Sequence, residues 1–207
     1  VKERLIPGGY RSAAFFDLPM KEEAWQPRAK ENKITNEPVE VIVREDGSLS
    51  LSFDGASGPG LNPMNCGKGA MEGGQWVLLT QILIYGDKVN DGAYFAVDKH
   101  YPEGTWCNPG DPYLSYQSPW GNLIPAYTGM MKCVSYGLFS RGYREEVVPG
   151  YGFTGDAIQG GGIYSAGPLK GDRWSLSTFE ISGQGLGASA VRDGLDWGYA
   201  MWNPESD

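Results

Sequence analysis

The sequence predicts an α+β fold: antiparallel strands packed with two buried helices and joined by glycine-rich loops. Three observations carry that class. An Asp-Gly turn joins two strand-like runs between 39 and 53. Two segments, 70–85 and 119–144, are apolar at helical spacing. Between them, 89–112 is dense in turn residues and holds one short apolar run. Strands and helices in separate blocks, without strict alternation, are the α+β pattern.

At the N-terminus, Leu5-Ile6-Pro7-Gly8-Gly9-Tyr10 reads as an extended piece ending in a turn, and 13–18 as a short apolar run. Residues 21–36 are charged and read as a surface loop or weak helix. Residues 39–43 are β-branched. Asp46-Gly47 follows, and then Leu49, Leu51 and Phe53 alternate with Ser48, Ser50 and Ser52. That is a hairpin whose second strand has one apolar and one serine face. Asp54-Gly55 ends it, and 58–65 is a loop rich in Gly, Pro and Asn.

In the first helical segment Trp76, Leu79, Ile82 and Leu83 recur at helical spacing. Val77, Leu78 and Ile84 make it apolar nearly all round, so it is buried. Gly73-Gly74 would weaken its first turn and places the start after them. In the second segment Leu123, Ile124, Tyr127, Met130, Met131, Val134, Leu138 and Phe139 follow the i, i+3, i+4, i+7 pattern. Pro125 kinks it or starts it anew, and Arg141 and Arg144 near its end suit the helix dipole.

The chain reads as organised around the stretch between the helices. Asn90-Asp91-Gly92 is a turn, 93–97 a buried strand, and His100, the single histidine, lies between Asp98 and Glu103. Pro102-Glu103-Gly104 and Asn108-Pro109-Gly110-Asp111-Pro112 shape the backbone on the far side: proline presets φ, glycine permits positive φ, and Asn and Asp bond their own backbone. After 149 glycine dominates, with 173–181 reading as a strand. The whole is one α+β segment over 1–207, with an extended and hairpin part at 1–60 and a helix- and glycine-rich part at 61–207.

Composition excludes several classes. Apolar residues at 41% and charged residues at 20% are those of a globular protein. The net charge is −8, no basic stripe exists, and nucleic acid is an unsuitable partner. No apolar run is long enough to span a membrane, and no signal peptide is present. Cys66, Cys107 and Cys133 form no C-x-x-C and read as reduced thiols of a cytoplasmic protein. Val1 at the start and polar Asn203-Pro204-Glu205-Ser206-Asp207 at the end fit a processed chain or a piece of a longer polypeptide.

Four constellations invite a chemical reading. His100 with Asp98, Asp91 and Glu103 offers metal-ligand types, and Asp98 and His100 would share a strand face, but no second histidine joins them. Gly183-x-Gly185-x-Gly187 follows a strand, yet its spacing is not that of a dinucleotide loop; close backbone approach explains it more simply. Ser48, Ser50 and Ser52 sit in no nucleophile elbow, and His100 is their single possible base. The many rings and glycines suit a sugar-binding β module, against which the two buried helices argue.

The order of blocks resembles the large subunit of the hydantoinase B/oxoprolinase family. The blocks are the strand from Glu45-Asp46-Gly47 to Asp54-Gly55, then Asn65, the apolar helix, Asn90-Asp91-Gly92, Pro102-Glu103-Gly104-Thr105 and Asn108-Pro109. Gly183, Gly185, Gly187, Ala188, Asp193 and Gly194 follow, before Asn203-Pro204-Glu205. Leu5 to Arg11, Phe139-Ser140-Arg141-Gly142-Tyr143, Gln159-Gly160-Gly161-Gly162 and Trp202-Asn203-Pro204-Glu205 add a likeness to the alpha-type subunits of the acetone carboxylases. The resemblance covers nearly the whole chain, through the order and spacing of its motifs.

The resemblance implies a segment of a cytoplasmic, multi-subunit, ATP-dependent ligase that joins a small ketone to bicarbonate to give a 3-oxo acid. An ATP-dependent cyclic-amidase subunit of hydantoinase or 5-oxoprolinase type is the alternative on the same scaffold, and a non-catalytic binding module the alternative from another class. The whole enzyme would use ATP, Mg and a transition metal such as Mn. None is expected on this segment, because the family's metal-binding stretch lies toward the N-terminus of the full subunit. No metal ligand or catalytic residue is carried over. Asn90, Asp91 and His100 are read as support for the active chamber, and the 207 residues alone are expected to be inactive.

Overall fold

The computed structural model describes residues 1–18, 31–60, 65–83, 90–111, 123–144, 159–165, 173–179, 182–186, 193 and 195–199. Two compact units result, Val1–Gly152 and Phe153–Asp207.

Among the described residues, the first unit is a four-stranded sheet with two α-helices. Strand β1 (Gly8–Leu18) pairs antiparallel with β2 (Lys33–Val43), and β2 pairs antiparallel with β3 (Leu49–Ser52). Strand β4 (Val97–His100) closes the sheet order β1-β2-β3-β4. The β2–β3 hairpin is the one the Asp-Gly turn predicts. Gly47 takes a φ of 86°, and Asp46 Oδ1 accepts from Ser48 N at 2.8 Å and from Ser48 Oγ at 2.6 Å. Those bonds hold the Asp46 carboxyl below its usual range.

Three expectations need correction. β3 and β4 run parallel, so the sheet is mixed. A parallel neighbour needs a long crossover, and here the chain between 53 and 96, including the first helix, provides it. The apolar run 93–97 is not a buried strand: Asp91–Tyr94 is a 3₁₀ helix and Phe95 is 93% exposed. The strand begins at Val97, where Leu49 N donates to Ala96 O at 2.8 Å. Residues 33–36, expected as loop or weak helix, already belong to β2; the rest of that charged stretch, 21–30, lies outside the described residues.

Pro38 falls within β2, opposite Ala13 of β1. Strand interiors tolerate proline only where no ladder bond is needed. The β2–β3 pairing covers only Glu40 to Val43, so at Pro38 that side of β2 has no strand neighbour. The next turn of chain fills the gap: Asn36 N donates to Ser57 Oγ at 2.9 Å and Ser57 N to Asn36 O at 3.2 Å.

Helix α1 is Lys68–Ile82 and α2 is Leu123–Arg141. α1 runs through Gly73-Gly74, against the expected later start, because Gly74 is needed small: a Cβ there would stand 2.6 Å from Leu123 Cδ2 of α2. Its buried row is Met71, Gln75 and Leu79, while Trp76 is half-buried. α2 buries Leu123, Tyr127, Met130, Met131, Val134 and Leu138 as its periodicity predicts, but Phe139 is exposed. Pro125 lies in its first turn, where no intrahelical N–H is lost.

Both helices serve one core. Val39, Val41, Val43, Leu49, Leu51 and Phe53 line the inner sheet face, and α2 packs across β1 and β2. The other end is closed by the turn-rich stretch. Trp106, fully buried, meets Phe53 edge-on with ring centroids 6.4 Å apart, and Tyr101 stacks on Phe53 at 5.7 Å. Trp106 N donates to Ser57 O at 3.0 Å and Cys66 N to Trp106 O at 2.7 Å. Thr105 Oγ1 donates to Pro102 O at 2.6 Å, and Asn108 Nδ2 to Tyr101 O at 3.0 Å. The stretch is thus a plug tied to β2, β3 and the start of α1.

Among the described residues, the second unit holds two antiparallel pairs: β5 (Gln159–Ser165) with β6 (Arg173–Phe179), and β7 (Ser182–Leu186) with β8 (Leu195–Tyr199). Gly183 and Gly185 lie within β7, a strand rather than a phosphate-cradling loop. Gly187, Ala188, Gly194 and Trp202-Asn203-Pro204-Glu205 lie outside the described residues.

A substitution pair tests the α1–α2 contact. At Gly73 an added Cβ meets nothing within 4 Å, so Gly73→Ala should stabilise by about 0.5–1 kcal/mol through helix propensity. Gly74→Ala gains the same propensity but overpacks Leu123, and should lose about 1–2 kcal/mol net. Denaturation midpoints of the two variants should move in opposite directions; equal shifts would contradict this packing.

Candidate functional site

The solvent-facing side of the sheet carries the polar array. Alternation along β2 and β3 turns Val39, Val41, Leu49 and Leu51 inward and Glu40, Ser50 and Ser52 outward. The parallel register sets Ser50 beside Asp98 and Ser52 beside His100. Asp98 and His100 therefore share a face, as their spacing predicts. Their partners differ: Asp98 Oδ2 accepts from Arg44 Nη2 at 2.9 Å, and His100 Nε2 meets Asp54 Oδ1 at 3.0 Å.

Asp54 is the hub. Its Oδ2 accepts from Ser52 Oγ at 3.0 Å while Oδ1 holds the imidazole. A nucleophilic serine needs its proton within reach of the histidine. Here the carboxylate stands between them and accepts the serine hydrogen bond itself, so Ser52 is not placed as a nucleophile with His100 as its base. Beside it, Arg11 Nε contacts Glu40 Oε1 at 2.5 Å. Arg11, Glu40, Ser52 and Asp54 rim an open cleft of about 500 Å³, with Ala13 and Pro38 as apolar walls.

The turn before β4 is built separately. Asn90 Oδ1 accepts from Gly92 N at 2.9 Å and caps the 3₁₀ helix. Asp91 provides the first backbone unit of that helix; its side chain is not among those described. The turn and His100 stand at opposite ends of β4, a strand spanning roughly 10 Å. Among the described residues, no group of three His, Cys, Asp or Glu side chains is placed to hold a metal ion.

Sequence reasoning missed Asp54, Arg11 and Glu40. The Asp54–His100 contact spans 46 positions and depends on the parallel β3–β4 register, for which local sequence carries no sign. It also missed the inner face of β2, where Thr35 and Glu37 are fully buried. Neither carboxyl oxygen of Glu37 has a hydrogen-bond partner of ordinary geometry. Burial pushes Glu37 from 4.5 up to about 9, against a weak opposing pull from the backbone of Ala126 in the first turn of α2. The alternation of β2 was the available signal, since it sets Glu37 in the same row as Val39 and Val41.

All three cysteines are free and buried. Burial raises Cys66 to about 12 and Cys107 to about 11, with Thr105 Oγ1 lying 3.1 Å from Cys107 Sγ. Cys133 is likewise raised by burial to about 12. Such thiols are protonated and unreactive.

Comparison with known proteins identifies the scaffold. The Hydantoinase B/oxoprolinase family matches residues 9–207. The chain belongs to the hydantoinase B/oxoprolinase family. It is 37% identical over 210 residues to the acetone carboxylase alpha subunit of Xanthobacter autotrophicus (strain ATCC BAA-1158 / Py2), covering 100% of this chain and 26% of that protein. A nucleotide-free acetone carboxylase structure, from work on the mechanism of ATP-dependent acetone carboxylation, superposes with a TM-score of 0.82 at 34% identity, over 100% of this chain and 27% of that one. The ATP-dependent caprolactamase of Pseudomonas jessenii shares the fold, with a TM-score of 0.61 at 16% identity, over 93% of this chain and 30% of that one. The chain thus spans about a quarter of the length of the acetone carboxylase subunit. Among the described residues no helix is long and apolar enough to cross a membrane.

Two substitutions separate the parts of the outer face. Asn90→Ala removes a helix cap and should cost about 1 kcal/mol. Asp54→Ala removes two exposed contacts and should leave stability within about 0.5 kcal/mol of wild type, measured by urea denaturation. A large loss for Asp54→Ala would mean that the pair supports the fold.

Proposed function

We propose that the chain is a segment of the alpha-type subunit of an ATP-dependent ketone carboxylase, which joins an acetone-like ketone to bicarbonate as a 3-oxo acid. The observation that carries this is the 37% identity to the acetone carboxylase alpha subunit over the whole chain, supported by the TM-score of 0.82 to an acetone carboxylase. The second reading, an ATP-dependent cyclic amidase, rests on the shared fold of the caprolactamase. At 16% identity that likeness speaks for scaffold only.

In this reading ATP, Mg and a transition metal such as Mn are held elsewhere in a cytoplasmic, multi-subunit enzyme. This segment provides wall and subunit contact. Phe15 and Ile34, each 65% exposed, give the outer sheet face apolar area of the kind that interfaces cover. Asn90, Asp91 and His100 act as chamber support, holding backbone and neighbouring groups rather than touching reacting atoms.

The test is activity of the full-length subunit purified with the subunits that accompany it. ATP- and bicarbonate-dependent consumption of acetone is expected, with no opening of cyclic amides; the converse would establish the amidase reading. Within the active complex, Asp91→Asn keeps size and removes charge. Turnover should fall by about 10²-fold with assembly intact, on the order of a lost contact that orients a neighbouring ligand. Full turnover would remove Asp91 from any supporting role.

A further inference from the structure

Glu37 is a carboxylic acid sealed between β2 and α2. It stands on the inner face of β2, opposite Ala14 of β1, with no accessible surface and no hydrogen bond of ordinary geometry to either oxygen; the Ala126 backbone N–H is a loose donor toward it. Above it lies the first turn of α2, whose Ala126 backbone N–H draws it toward ionisation as a hydrogen-bond donor. Cys66 and Cys107 feel its charge from the plug side, and both remain protonated thiols. From α2, Tyr127 and Cys133 reach the same helix–sheet interface. From β1, Tyr10 donates its hydroxyl to Ile6 O at 2.6 Å. None of these groups is a cation.

A buried carboxylate with no cation and only one loose backbone donor is unstable, and such a group stays neutral instead. Above the range of an exposed carboxyl, that neutral form persists only while the first turn of α2 stays closed over it. If the first turn of α2 lifts, water reaches the carboxyl, it ionises, and reclosing then requires a proton from solvent. Pro125 lies in that turn, so the turn has one backbone donor fewer to offer the anion. Gly129, one turn further on, leaves α2 close against Val39 and Ser12.

We propose that Glu37 is a proton-operated latch: protonated, it lets the first turn of α2 lie on the sheet, and loss of its proton to solvent releases that turn. The sign follows from linkage. An acid that ionises less readily closed than open contributes to closure fully at pH values below the range of an exposed carboxyl. That contribution declines as pH rises, until the closed form also ionises. Over that window the open fraction rises about tenfold per pH unit, because each opening releases one proton.

Hydrogen exchange of the full-length protein tests this at the amides of 127–130, which donate to the carbonyls of the first turn, after correction for base-catalysed intrinsic exchange. Wild type should lose protection by up to about tenfold per pH unit between about pH 5 and 9, whereas Glu37→Gln should show a flat profile. Identical profiles in both proteins would overturn the latch. If the glutamine variant fails to fold, infrared spectroscopy of wild type with labelled glutamate decides. A buried protonated carboxyl should persist at neutral pH and disappear as protection at 127–130 is lost. A carboxylate at neutral pH in the closed state would refute the proposal.

Discussion

The close seating of α2 on β1 and β2 governs the rest of the first unit. Two glycines permit it. At Gly129 a Cβ would stand 3.1 Å from Val39 Cγ2, and at Gly137 one would stand 2.9 Å from Leu5 Cδ2 and 3.4 Å from Tyr10 Cζ. With those side chains absent, the helix sinks against Leu5 and Val39, and Met130 and Met131 on it are buried. The N-terminal segment is fixed by the same approach: Arg141 near the end of α2 donates to the Glu3 and Lys2 carbonyls at 3.2 and 3.3 Å. Everything the outer face presents is backed by this contact, since β2 carries Glu40 on one side and Val39 and Val41 on the other.

That seating sets an electrostatic conflict which burial wins. A helix N-terminus favours a nearby anion by at most about 2 kcal/mol. Displacing Glu37 from 4.5 to about 9 corresponds to roughly 6 kcal/mol in favour of the neutral form. The dipole is therefore overruled several-fold. At neutral pH the fold carries a penalty of roughly 3 kcal/mol for holding this proton, a large share of the margin of an ordinary domain. An apolar residue in the Val39 row would avoid that penalty.

Local chemistry made much of the fold legible. The Asp46-Gly47 turn, the serine-and-leucine alternation of β3 and the spacing of Leu123 through Leu138 each specify an element by short-range physics, and each is present. What escaped was long-range. Leu49 pairs with Val97 in parallel, and nothing within either strand announces a partner 48 positions away. Gly73-Gly74 read as a weak start because propensity counts glycine against a helix; Leu123, distant in sequence, decides otherwise. The run 93–97 read as a buried strand from composition, yet Asn90 captures Gly92 N and turns the backbone into a 3₁₀ helix before the strand can begin. His100 was legible as a notable residue, while its partner Asp54 was not, since a turn aspartate before glycine is first a turn residue.

The three cysteines have a consequence for the experimenter. Cys66, Cys107 and Cys133 come from three separate parts of the first unit, the approach to α1, the plug and α2, and all are shielded. An alkylating reagent that needs a thiolate finds almost none while the fold is closed. Each sulfur becomes available when its own region opens. Peptide-resolved alkylation would therefore time the opening of three regions separately, with no label introduced and no residue replaced.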